Sequence, residues 1–529
     1  MIAEEVHFSG RRMLCYADRP RGIDQMLREA VLRNPDGDAI VAADLRLTYR
    51  ALDGLVDRIA ANLTSFGIGA GDRVALAMGN RPEFIAVLLA TIRIGAIAVP
   101  INCREQKPGF TYILDHSGAR ALVFDEAAAG RLPDTAETPE LLHRFAIGGA
   151  ASGTQTFDDL TMDPGQGPEA LTRDEEDVAV ILYTSGTTGR PKGVMLTHLN
   201  ICHSVMHFEA GMELDATERS LLAVPASHVT GLIANILMMI RVAGCTLVLP
   251  HFTAEGFLDL AAKERMTHTL IVPAMYNLCQ LRADFENYDL SRWRIGGFGG
   301  ALMPEATIAA LSEKLPSLVL MNAYGATETT SPATMMPMGA TGERPDSVGK
   351  TVPCGSIRIV NDDGCELAAG CAGEIWIAGP MVTPGYWRDD EITAASIVDG
   401  YWKSGDIGSM DKDGYVRLHD RKKDMIIRGG YNIYSAEIEN VITAHEAVVE
   451  CAAIGRPDEV LGEKMEVFVH TGNMVISTKE IIAYCAARLA DYKVPDFVNF
   501  TATTLPRNAN GKIVKKELRK RNLQRFRKD

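Results

Sequence analysis

The stretch from Tyr183 to Lys192 combines hydroxyl side chains, glycines and a lysine. It reads Tyr183-Thr184-Ser185-Gly186-Thr187-Thr188-Gly189-Arg190-Pro191-Lys192 and follows a short apolar run that is typical of a strand. Glycines let backbone N–H groups turn toward an anion, hydroxyls add donors, and a lysine supplies a compact positive charge. Because Lys192 stands between proline and glycine, the loop is not a Walker A motif. The pattern predicts a loop that binds phosphate.

The same loop resembles the signature of the AMP-forming adenylating superfamily, which contains acyl-CoA synthetases, nonribosomal adenylation domains and beetle luciferases. The resemblance runs in order through nearly the whole chain. It implies a nucleotide-binding loop in which Thr184 also takes part in catalysis; its residues are Thr184, Ser185, Gly186, Thr187, Thr188 and Lys192. The simpler interpretation is a flexible surface connection rich in Ser, Thr and Gly, but such connections seldom follow a buried strand.

A second polar segment follows a later apolar run and is similar to the family's Tyr-Gly-x-Thr-Glu motif. It reads Asn322-Ala323-Tyr324-Gly325-Ala326-Thr327-Glu328-Thr329. The resemblance implies that Tyr324 stacks against adenine, Thr327 contacts the α-phosphate and Glu328 holds Mg²⁺, a hard ion that prefers carboxylate oxygens. Taken alone, Thr-Glu after a turn fits a helix cap equally well. The other nucleotide-binding residues implied here are Gly299, Gly300, Ala301, Asn322 and Gly325.

Two charged segments resemble the family's ribose-binding elements. Asp406, in Tyr401-Trp402-Lys403-Ser404-Gly405-Asp406, is implied to accept hydrogen bonds from both ribose hydroxyls, and Arg421 is implied to touch the same sugar. The element has one residue fewer between Trp402 and Ser404 than the family pattern. Lys423 corresponds to the hinge about which the small domain turns. Without the resemblance, these residues are a turn aspartate and a solvated linker.

Two segments near the C-terminus complete the resemblance. Pro506-Arg507-Asn508-Ala509-Asn510-Gly511-Lys512-Ile513 is similar to the motif whose lysine reaches the α-phosphate, so Lys512 is the predicted catalytic cation. The segment around Gly429, Gly430 and Tyr431 is similar to the one that lines the pantetheine tunnel in acyl-CoA synthetases. Glycines lack a Cβ and so permit close approach of a thin ligand. Ser435 stands where the family commonly has proline.

His228 falls where acyl-CoA synthetases usually carry an aromatic–histidine pair, with Ser227 in place of the aromatic residue. The resemblance implies that His228 gates the acyl pocket or helps to place the carboxylate; the alternative is a satisfied loop histidine. The segment holds no aspartate, which argues against an amino-acid substrate. The predicted acyl pocket is apolar, without a cation for a second carboxylate; its residues are Leu232, Ile233, Ile236, Phe298, Gly299, Pro332 and Met335.

The elements that position these residues alternate between helical and strand patterns, which predicts an α/β fold with a doubly wound parallel sheet. Ligands of such sheets lie beyond the carboxyl ends of the strands. Residues 127–175 have weak periodicity and predict a surface excursion. We expect an N-terminal domain over 1–422, with a small β-barrel-like subdomain over about 347–422, and a mobile C-terminal α/β lid over 423–529.

Composition narrows the class of protein. A chain of 529 residues with 47% hydrophobic and 23% charged residues is globular and too long for one core. A formal net charge of −14 argues against nucleic-acid binding, and the basic tail from Lys512 to Lys528 fits a solvated helix face. Ten cysteines without a C-x-x-C pair predict neither zinc site nor disulfide framework.

Two apolar stretches, Phe84–Ile101 and Leu232–Leu249, predict a buried helix and strand rather than a membrane span.

These observations together predict an ATP-dependent acid–CoA ligase that forms an acyl-CoA through an acyl-adenylate and releases AMP and pyrophosphate. Its expected cofactors and partners are ATP, Mg²⁺, coenzyme A and a small carboxylic acid, in the cytoplasm, with a homodimer left open. One alternative is an adenylating enzyme that loads a carrier protein in trans; another is a nucleotide-binding protein without turnover. The acid and the pathway stay open, with fatty acid metabolism as the expected setting.

Overall fold

The computed structural model describes residues 1–149, 153–165, 167, 174–185, 190–301, 303–472, 474–507 and 513–526. The chain forms two compact units, and it passes from one to the other several times between residues 357 and 417. The larger unit comprises Met1–Ile357, Trp376–Lys403 and Gly414–Val416, and the smaller comprises Arg358–Ile375, Ser404–Asp413 and Arg417–Asp529. The two units differ in their bounds from the predicted domains, and the domain boundary at 422/423 stays a prediction.

The first sheet of the larger unit carries the predicted phosphate loop at one edge. Its inner strands are parallel, and the edge strand Pro191–Thr197 runs antiparallel to Val178–Ser185. Val74, Ala75, Leu122 and Ile181 are fully buried, as expected for a sheet covered on both faces. In spatial order the strands are Pro191–Thr197, Val178–Ser185, Ile97–Pro100, Arg73–Ala77, Ala119–Phe124, His143–Ala146 and Gln155–Thr156.

The second sheet of the larger unit carries the predicted adenine and metal motif. Its core is parallel, and antiparallel strands extend it at both edges. Because parallel strands place their carboxyl ends at one edge, the segments after Phe298 and Tyr324 lie side by side. Within this unit the order is Leu45–Thr48, Asp38–Ala42, Cys245–Val248, Arg219–Leu222, His268–Ile271, Ile295–Phe298, Val319–Tyr324, Thr334–Met335 and Gly349–Thr351.

Helices cover the sheets of the larger unit, and only some of them were predicted from the apolar periodicity. The α-helices are Ile23–Arg33, Tyr49–Ser65, Pro82–Arg93, Lys107–Ser117, Glu126–Ala129, Asp158–Thr161, His198–Met212, Met238–Val242, Ala254–Lys263, Pro273–Arg282, Glu305–Lys314 and Asp390–Ser396. The short 3-10 turns are Thr135–Glu137, Phe285–Asn287 and Thr327–Thr329. A hairpin of Ile2–His7 and Arg11–Tyr16 precedes the first helix. The buried helix and strand predicted for both long apolar stretches are confirmed.

Two expectations were wrong in detail. The weakly periodic stretch 127–175 is not only a surface excursion, because His143–Ala146 joins the first sheet and buries Phe145; a four-residue strand is too short to show a period. The helix predicted within the apolar stretch Leu232–Leu249 begins as a π-helix, Thr230–Leu237, rather than as an α-helix. The amide of Asn235 donates to Thr230 O at 3.1 Å and to Leu270 O at 3.3 Å, and these contacts accompany the wider turns.

The smaller unit contains an α/β layer built on one sheet. Its strand order is Tyr431–Ile433, Ile426–Arg428, Gly462–His470 and Glu450–Asp458, and Phe497–Phe500 pairs in parallel with Gly462–His470. The helices are Ser435–Thr443, Thr478–Ala486 and Lys515–Phe526, with a 3-10 turn at Asp491–Lys493. Ile438, Ile481 and Met465 form its core. Leu518 packs on the other face of the sheet with Phe468.

Four strands divide their residues between the two units, and they are hydrogen-bonded in the order Ser356–Val360, Gly373–Ala378, Tyr401–Met410 and Tyr415–Arg421. The turns at Asn361–Gly364 and Asp411–Gly414 lie where the Asn/Asp/Gly pattern predicts them. The two-residue strand Ile397–Val398 pairs with Tyr401–Met410. None of the helices in the described ranges combines the length and hydropathy that crossing a membrane requires.

Candidate active site

The predicted phosphate loop joins the two strands of a hairpin. Thr184 pairs in register with Lys192, and Tyr183 pairs with Gly193. Both Thr184 and Lys192 are half-buried at the end of the hairpin, so the loop leaves and re-enters the sheet beside them. Gly186, Thr187 and Thr188 lie outside the described residues, as does the side chain of Ser185. Their predicted phosphate contacts stay predictions.

The Gly299–Ala301 loop and the Asn322–Tyr324 strand end are brought together in the second sheet. Phe298 pairs with Asn322, and the loop leaves the strand at that point. A Cβ on Gly299 would lie 2.4 Å from the carbonyl oxygen of Ala323, so only glycine allows the two chains this close. Gly300 adopts a positive φ of 75°. The loop and the predicted adenine-binding tyrosine therefore occupy neighbouring positions at one sheet edge.

Tyr386 connects the predicted phosphate lysine to the predicted metal ligand. Its hydroxyl donates to Oε1 of Glu328 at 3.1 Å and accepts from Nε1 of Trp402 at 3.3 Å. The ammonium of Lys192 lies 5.3 Å from the centre of the Tyr386 ring, within range of a cation–π contact. Burial raises the pKa of Tyr386, and the Glu328 carboxylate raises it further, so the phenol stays protonated and donates.

Glu328 fits the role predicted for a magnesium ligand. It is half-buried in the 3-10 turn Thr327–Thr329, and its backbone oxygen accepts from the N–H of Thr383 at 2.8 Å. A carboxylate held by one phenolic donor and a fixed backbone presents oxygen ligands, which Mg²⁺ prefers. Thr327 is buried beside it, and Tyr324 and Asn322 are buried on the preceding strand.

Sequence reasoning missed Tyr386. The segment Thr383-Pro384-Gly385-Tyr386-Trp387 has no charged or nucleophilic side chain, and it lies about sixty residues beyond Glu328. A Pro-Gly turn followed by two aromatic residues was the available signal. Such a pattern is common in turns, so it would not have been specific.

His228 lies in the turn that starts the π-helix. Its backbone N–H donates to Pro225 O at 3.0 Å, and its Nδ1 accepts from the N–H of Thr230 at 3.3 Å. Because Nδ1 is an acceptor, the proton of the neutral ring is on Nε2. The predicted pocket residues Leu232 and Ile233 follow on the same helix and are fully buried.

Asp406 and Arg421, the two predicted ribose contacts, form an ion pair in the smaller unit. Nε of Arg421 lies 2.8 Å from Oδ1 of Asp406. Asp406 is buried, and its N–H donates to Oγ of Ser404 at 3.0 Å. The N–H of Lys422 donates to Gly405 O at 2.8 Å, which ties the two segments together. The structure thus brings both predicted residues to one place.

Gly429 and Gly430 form the two-residue turn between strands Ile426–Arg428 and Tyr431–Ile433. Their φ angles are +56° and +86°, the left-handed pair that a tight hairpin of this type requires. Tyr431 is exposed, and its ring stacks on that of Tyr492 at 4.6 Å. The turn therefore presents backbone and an aromatic ring at the surface of the smaller unit, and its predicted contact with pantetheine stays a prediction.

Lys512 lies outside the described residues, but both ends of its segment are fixed. Arg507 pairs with Ile513, and the N–H of Val514 donates to Pro506 O at 2.8 Å. Nζ of Lys515 lies 2.7 Å from Oγ of Ser435. The described residues on either side of this segment therefore pair with each other.

Ser435 takes part in a buried polar network that a proline could not form. Its backbone N–H and its hydroxyl both donate to the carboxylate of Asp420, the hydroxyl at 3.1 Å. Lys515 reaches Ser435 and also forms an ion pair with Glu439 at 2.7 Å. Burial raises the pKa of Glu439, although the Lys515 ammonium opposes this. The departure from the family pattern thus has a structural consequence: it adds two hydrogen bonds to Asp420.

The predicted hinge residue, Lys423, follows the ribose-contact segment directly. Its backbone oxygen accepts from Arg519 at 3.3 Å, and Arg519 also pairs with Asp424 at 3.0 Å. Burial lowers the pKa of Lys423. These contacts hold the segment against the last helix of the smaller unit, while the hinge itself stays a prediction.

Comparison with known proteins matches two family models to the chain. The AMP-binding enzyme model covers residues 27–387, and the AMP-binding enzyme C-terminal domain model covers residues 437–512. The long-chain-fatty-acid–CoA ligase FadD13 of Mycobacterium tuberculosis is 34% identical over 505 residues, which are 94% of this chain and 98% of the relative. The match therefore extends over nearly the full length of both proteins.

Solved structures give the same result. The anthranilate CoA ligase AuaEII, in complex with anthranoyl-AMP, superposes with a TM-score of 0.88 at 25% identity over 96% of this chain and 98% of the other. The o-succinylbenzoate CoA synthetase MenE of Bacillus subtilis, in complex with ATP and magnesium, superposes with a TM-score of 0.83 at 26% identity over 93% and 98%. The predicted resemblance, fold class and use of ATP and Mg²⁺ are confirmed. The chain belongs to the AMP-binding enzyme family, the AMP-forming adenylating superfamily, and is an AMP-forming acid–thiol ligase of the acyl-CoA synthetase type.

Proposed function

We propose that this protein joins an apolar carboxylic acid to coenzyme A. In the first step a carboxylate oxygen attacks the α-phosphorus of ATP, the bond to the β-phosphate oxygen breaks, and pyrophosphate leaves. In the second step the CoA thiol attacks the acyl carbon of the acyl-adenylate, the bond to the phosphate oxygen breaks, and AMP leaves. The proton of the thiol is released to solvent.

The observation that carries this proposal is the linkage of Lys192, Tyr386 and Glu328 in one unit. Two anions must meet in the first step, so positioned positive charge is needed where charge accumulates. Lys192 supplies a cation that is oriented by the ring of Tyr386, and the same phenol holds Glu328. A magnesium ion bound at Glu328 would neutralise charge on the departing pyrophosphate.

The other predicted site residues would bind the remaining parts of the substrates. Tyr324, with Asn322 and the Gly299–Ala301 loop, would hold adenine, while Thr184 and Thr327 would donate to phosphate oxygens. Asp406 and Arg421 would hold the ribose, and Lys512 would contact the α-phosphate during adenylation. His228 would place the carboxylate. Gly429, Gly430 and Tyr431 would contact pantetheine after the small domain turns at Lys423.

The acyl group is proposed to be apolar along most of its length. Leu232, Ile233 and Ile236 are fully buried on the helix that follows His228, and Phe298 and Met335 are buried on the two strands that flank Val319–Tyr324. Cytoplasmic localisation and a homodimer also stay predictions. Fractionation would test the first and sedimentation would test the second.

Pyrophosphate release tests the proposal, measured with and without CoA across short, medium, long, aromatic and dicarboxylic acids. Sustained release only with CoA, together with an acyl-CoA product, is the expected result. Pyrophosphate exchange without a CoA-dependent product would favour transfer to a carrier protein. ATP binding without pyrophosphate release for any acid would favour a nucleotide-binding protein without turnover.

A further inference from the structure

Among the buried polar atoms of the larger unit that have no hydrogen-bond partner within the described parts of the chain, four lie on or beside the helix His198–Met212. They are both ring nitrogens of His207, the hydroxyl of Ser204 and the hydroxyl of Tyr16. His207 and Ser204 are 1% and 0% exposed. The rings of Tyr16 and His207 lie 5.5 Å apart. Buried polar groups are nearly always paired, so four unpaired atoms in one neighbourhood indicate a partner that the protein itself does not supply.

His203, one turn earlier on the same helix, is also buried, but both of its ring nitrogens form hydrogen bonds within the protein. Nδ1 of His203 donates to Leu199 O at 2.9 Å, and its Nε2 accepts from the N–H of Tyr16 at 3.2 Å. Both nitrogens of His203 are therefore satisfied. His207 is one helical turn further on and is equally buried, yet neither of its nitrogens has a described partner.

We call Tyr16, Ser204 and His207 the polar cluster. Ser204 and His207 lie on the helix face that leads to the predicted acyl pocket, and Tyr16 packs against His207 from the strand Arg11–Tyr16. Residues three and four apart on a helix share a face, so Ser204, His207 and Gly211 follow one stripe. At the end of this stripe a Cβ on Gly211 would lie 2.8 Å from Cε of Met335, so the helix backbone contacts this pocket residue directly. The helix rise places His207 about 6 Å and Ser204 about 10 Å further along the axis.

Met335 in turn adjoins the predicted nucleotide site. It pairs in register with Ala323, and Thr334 pairs with Tyr324, the predicted adenine contact. Contacts therefore lead from the adenylate end of the site, through Met335 and Gly211, to the polar cluster. The cluster would meet the end of an acyl group that is remote from its carboxylate.

The polar cluster is uncharged, which limits its ligands. Burial lowers the pKa of His207 to about 3 and raises that of Tyr16. At neutral pH the imidazole is thus neutral, with one donor and one acceptor, and both hydroxyls are protonated. The guanidinium of Arg19 pairs with Glu5 at 2.6 Å and with Glu175 at 2.7 Å, so its charge is already compensated. A second carboxylate would find no cation here, whereas a hydroxyl or a carbonyl would find donors and acceptors.

We propose that the polar cluster of Tyr16, Ser204 and His207 binds a neutral hydrogen-bonding group, a hydroxyl or a carbonyl, at the far end of the acyl chain. The substrate class is then an acid that is apolar along its body and oxygenated at its distal end. This inference rests on the proposed function and specifies the substrate of the same site.

Matched pairs of acids test the proposal on the full-length enzyme. Cinnamate is compared with para-hydroxycinnamate, and octanoate with its ω-hydroxy and ω−1 oxo derivatives, in the CoA-dependent assay. A site built to hydrogen-bond a substrate oxygen discriminates against the analogue that lacks it. We expect kcat/KM for at least one oxygenated acid to exceed that of its apolar partner about tenfold or more.

Two nearly isosteric variants remove single hydroxyls, namely Tyr16→Phe and Ser204→Ala. Each is expected to lower the ratio of kcat/KM within the preferred pair about fivefold to tenfold, while activity on the apolar acid is retained. Tyr49→Phe is the matched control. Its hydroxyl is buried and paired, donating to Gly244 O at 2.7 Å and to Met239 O at 3.0 Å. This control should leave the ratio unchanged.

The melting temperature of the enzyme without acid gives a second readout. Tyr16→Phe removes an unpaired buried hydroxyl and is expected to leave the melting temperature unchanged or raise it, whereas Tyr49→Phe should lower it. If Tyr16→Phe lowers it as Tyr49→Phe does and the acid ratios do not move, resident water satisfies the cluster and the proposal is wrong. If oxygenated and apolar acids are used equally well, the proposal also fails while the ligase function stands. If no acid supports CoA-dependent turnover, the proposed function fails first.

Discussion

The Nε atom of Arg421 lies 2.8 Å from Oδ1 of Asp406, and the two side chains differ sharply in exposure, 51% for Arg421 and 4% for Asp406. A buried carboxylate is thus paired with a half-exposed guanidinium before any nucleotide is considered. If both residues hold ribose, the ion pair keeps Asp406 charged and oriented for two hydroxyl donors. The contact also makes the two side chains energetically unequal, because only Asp406 is buried and depends on partners within the protein.

Removal of a ribose hydroxyl tests this assignment. We expect 2′-deoxy-ATP or 3′-deoxy-ATP to have a KM about tenfold above that of ATP, since a hydrogen bond to a charged group contributes roughly 1.5–3 kcal/mol. In Asp406→Asn this penalty should shrink. Arg421→Ala should also lower the free energy of unfolding by about 1–3 kcal/mol, because the buried carboxylate loses a charged hydrogen-bond partner. Deoxynucleotides used as well as ATP by the native enzyme would remove Asp406 from the ribose site.

Tyr386→Phe tests the link between Lys192 and Glu328. The variant keeps the ring under Lys192 but removes the donor to Glu328 and the acceptor for Trp402. We expect the adenylation rate to fall about tenfold to a hundredfold, and the magnesium concentration at half-maximal rate to rise, because Glu328 is less well oriented. Tyr276→Phe is a suitable control, since that buried phenol donates to Gly297 O at 2.9 Å in the second sheet. An unchanged magnesium dependence in Tyr386→Phe would argue against Glu328 as the ligand.

The two half-reactions separate the role of Lys512 from that of the rest of its segment. Lys512→Ala should abolish acyl-adenylate formation, while thioester formation from supplied acyl-AMP should stay within a few-fold of the native rate. The exposed Lys516, four residues away, gives a control of equal charge, and Lys516→Ala should affect neither step. Equal loss of both half-reactions in Lys512→Ala would contradict a role confined to the α-phosphate.

Substitution of Gly430 should have the opposite effect. Its φ of +86° disfavours most side chains, whereas a Cβ there meets no described atom within 4 Å. Asn tolerates this conformation, so Gly430→Asn should keep the hairpin and the melting temperature. If pantetheine passes along the turn, the added side chain should slow thioester formation about tenfold or more and leave adenylation intact. Unimpaired thioester formation in Gly430→Asn would place CoA elsewhere.

Three buried histidines predict a loss of stability in mild acid. Burial lowers the pKa of His268 and of His207 to about 3 and that of His203 to about 4. The unfolded chain binds a proton at each near pH 6.5, while the folded chain does not, so this stability is complete above pH 6.5 and is lost as the pH falls toward 4. Each histidine should cost about 1.4 kcal/mol per pH unit in that window.

The test compares denaturant unfolding between pH 7 and 5.5 in two variants. Averaged over this range, His268→Gln should reduce the slope of stability against pH by about 0.8 kcal/mol per pH unit, because the unfolded histidine is only partly protonated near pH 6.5. His251→Gln changes an exposed histidine and should leave the slope as it is. Parallel slopes in the native protein and in His268→Gln would mean that His268 titrates normally in the folded state.

The sequence predicts much of the fold because long apolar segments can be recognised as helices and shorter ones as strands. The helices Pro82–Arg93 and His198–Met212 and the strand Arg73–Ala77 lie within about two residues of the bounds that the sequence predicts, which are 82–92, 198–210 and 73–78. The strand His143–Ala146 was not predicted, since four residues carry too little pattern. The π-helix Thr230–Leu237 depends on Asn235, whose amide contacts a strand thirty-five residues away, and no local signal records such a contact.

Some residues of the candidate site could be predicted from the sequence, and others could not. Asp406, Arg421 and Glu328 were predicted because a charged residue within a motif indicates a chemical role by its residue type alone. Tyr386 was not, because an aromatic residue acquires a role only from what it touches, here Lys192 and Glu328. The unpaired nitrogens of His207 were invisible for the same reason: burial and the absence of a described partner are properties of the fold.

The bonds from Ser435 to Asp420 have a consequence for motion. Lys423 lies between these residues in the chain, so any turn of the backbone at Lys423 that carries Ser435 away must break both bonds. A proline at 435 could make neither bond. The two hydrogen bonds from Ser435 to the Asp420 carboxylate therefore favour the orientation in which they form by about 1–3 kcal/mol. They also slow departure from that orientation. If the small domain turns at Lys423 as predicted, Ser435 would partly set the time between the two half-reactions.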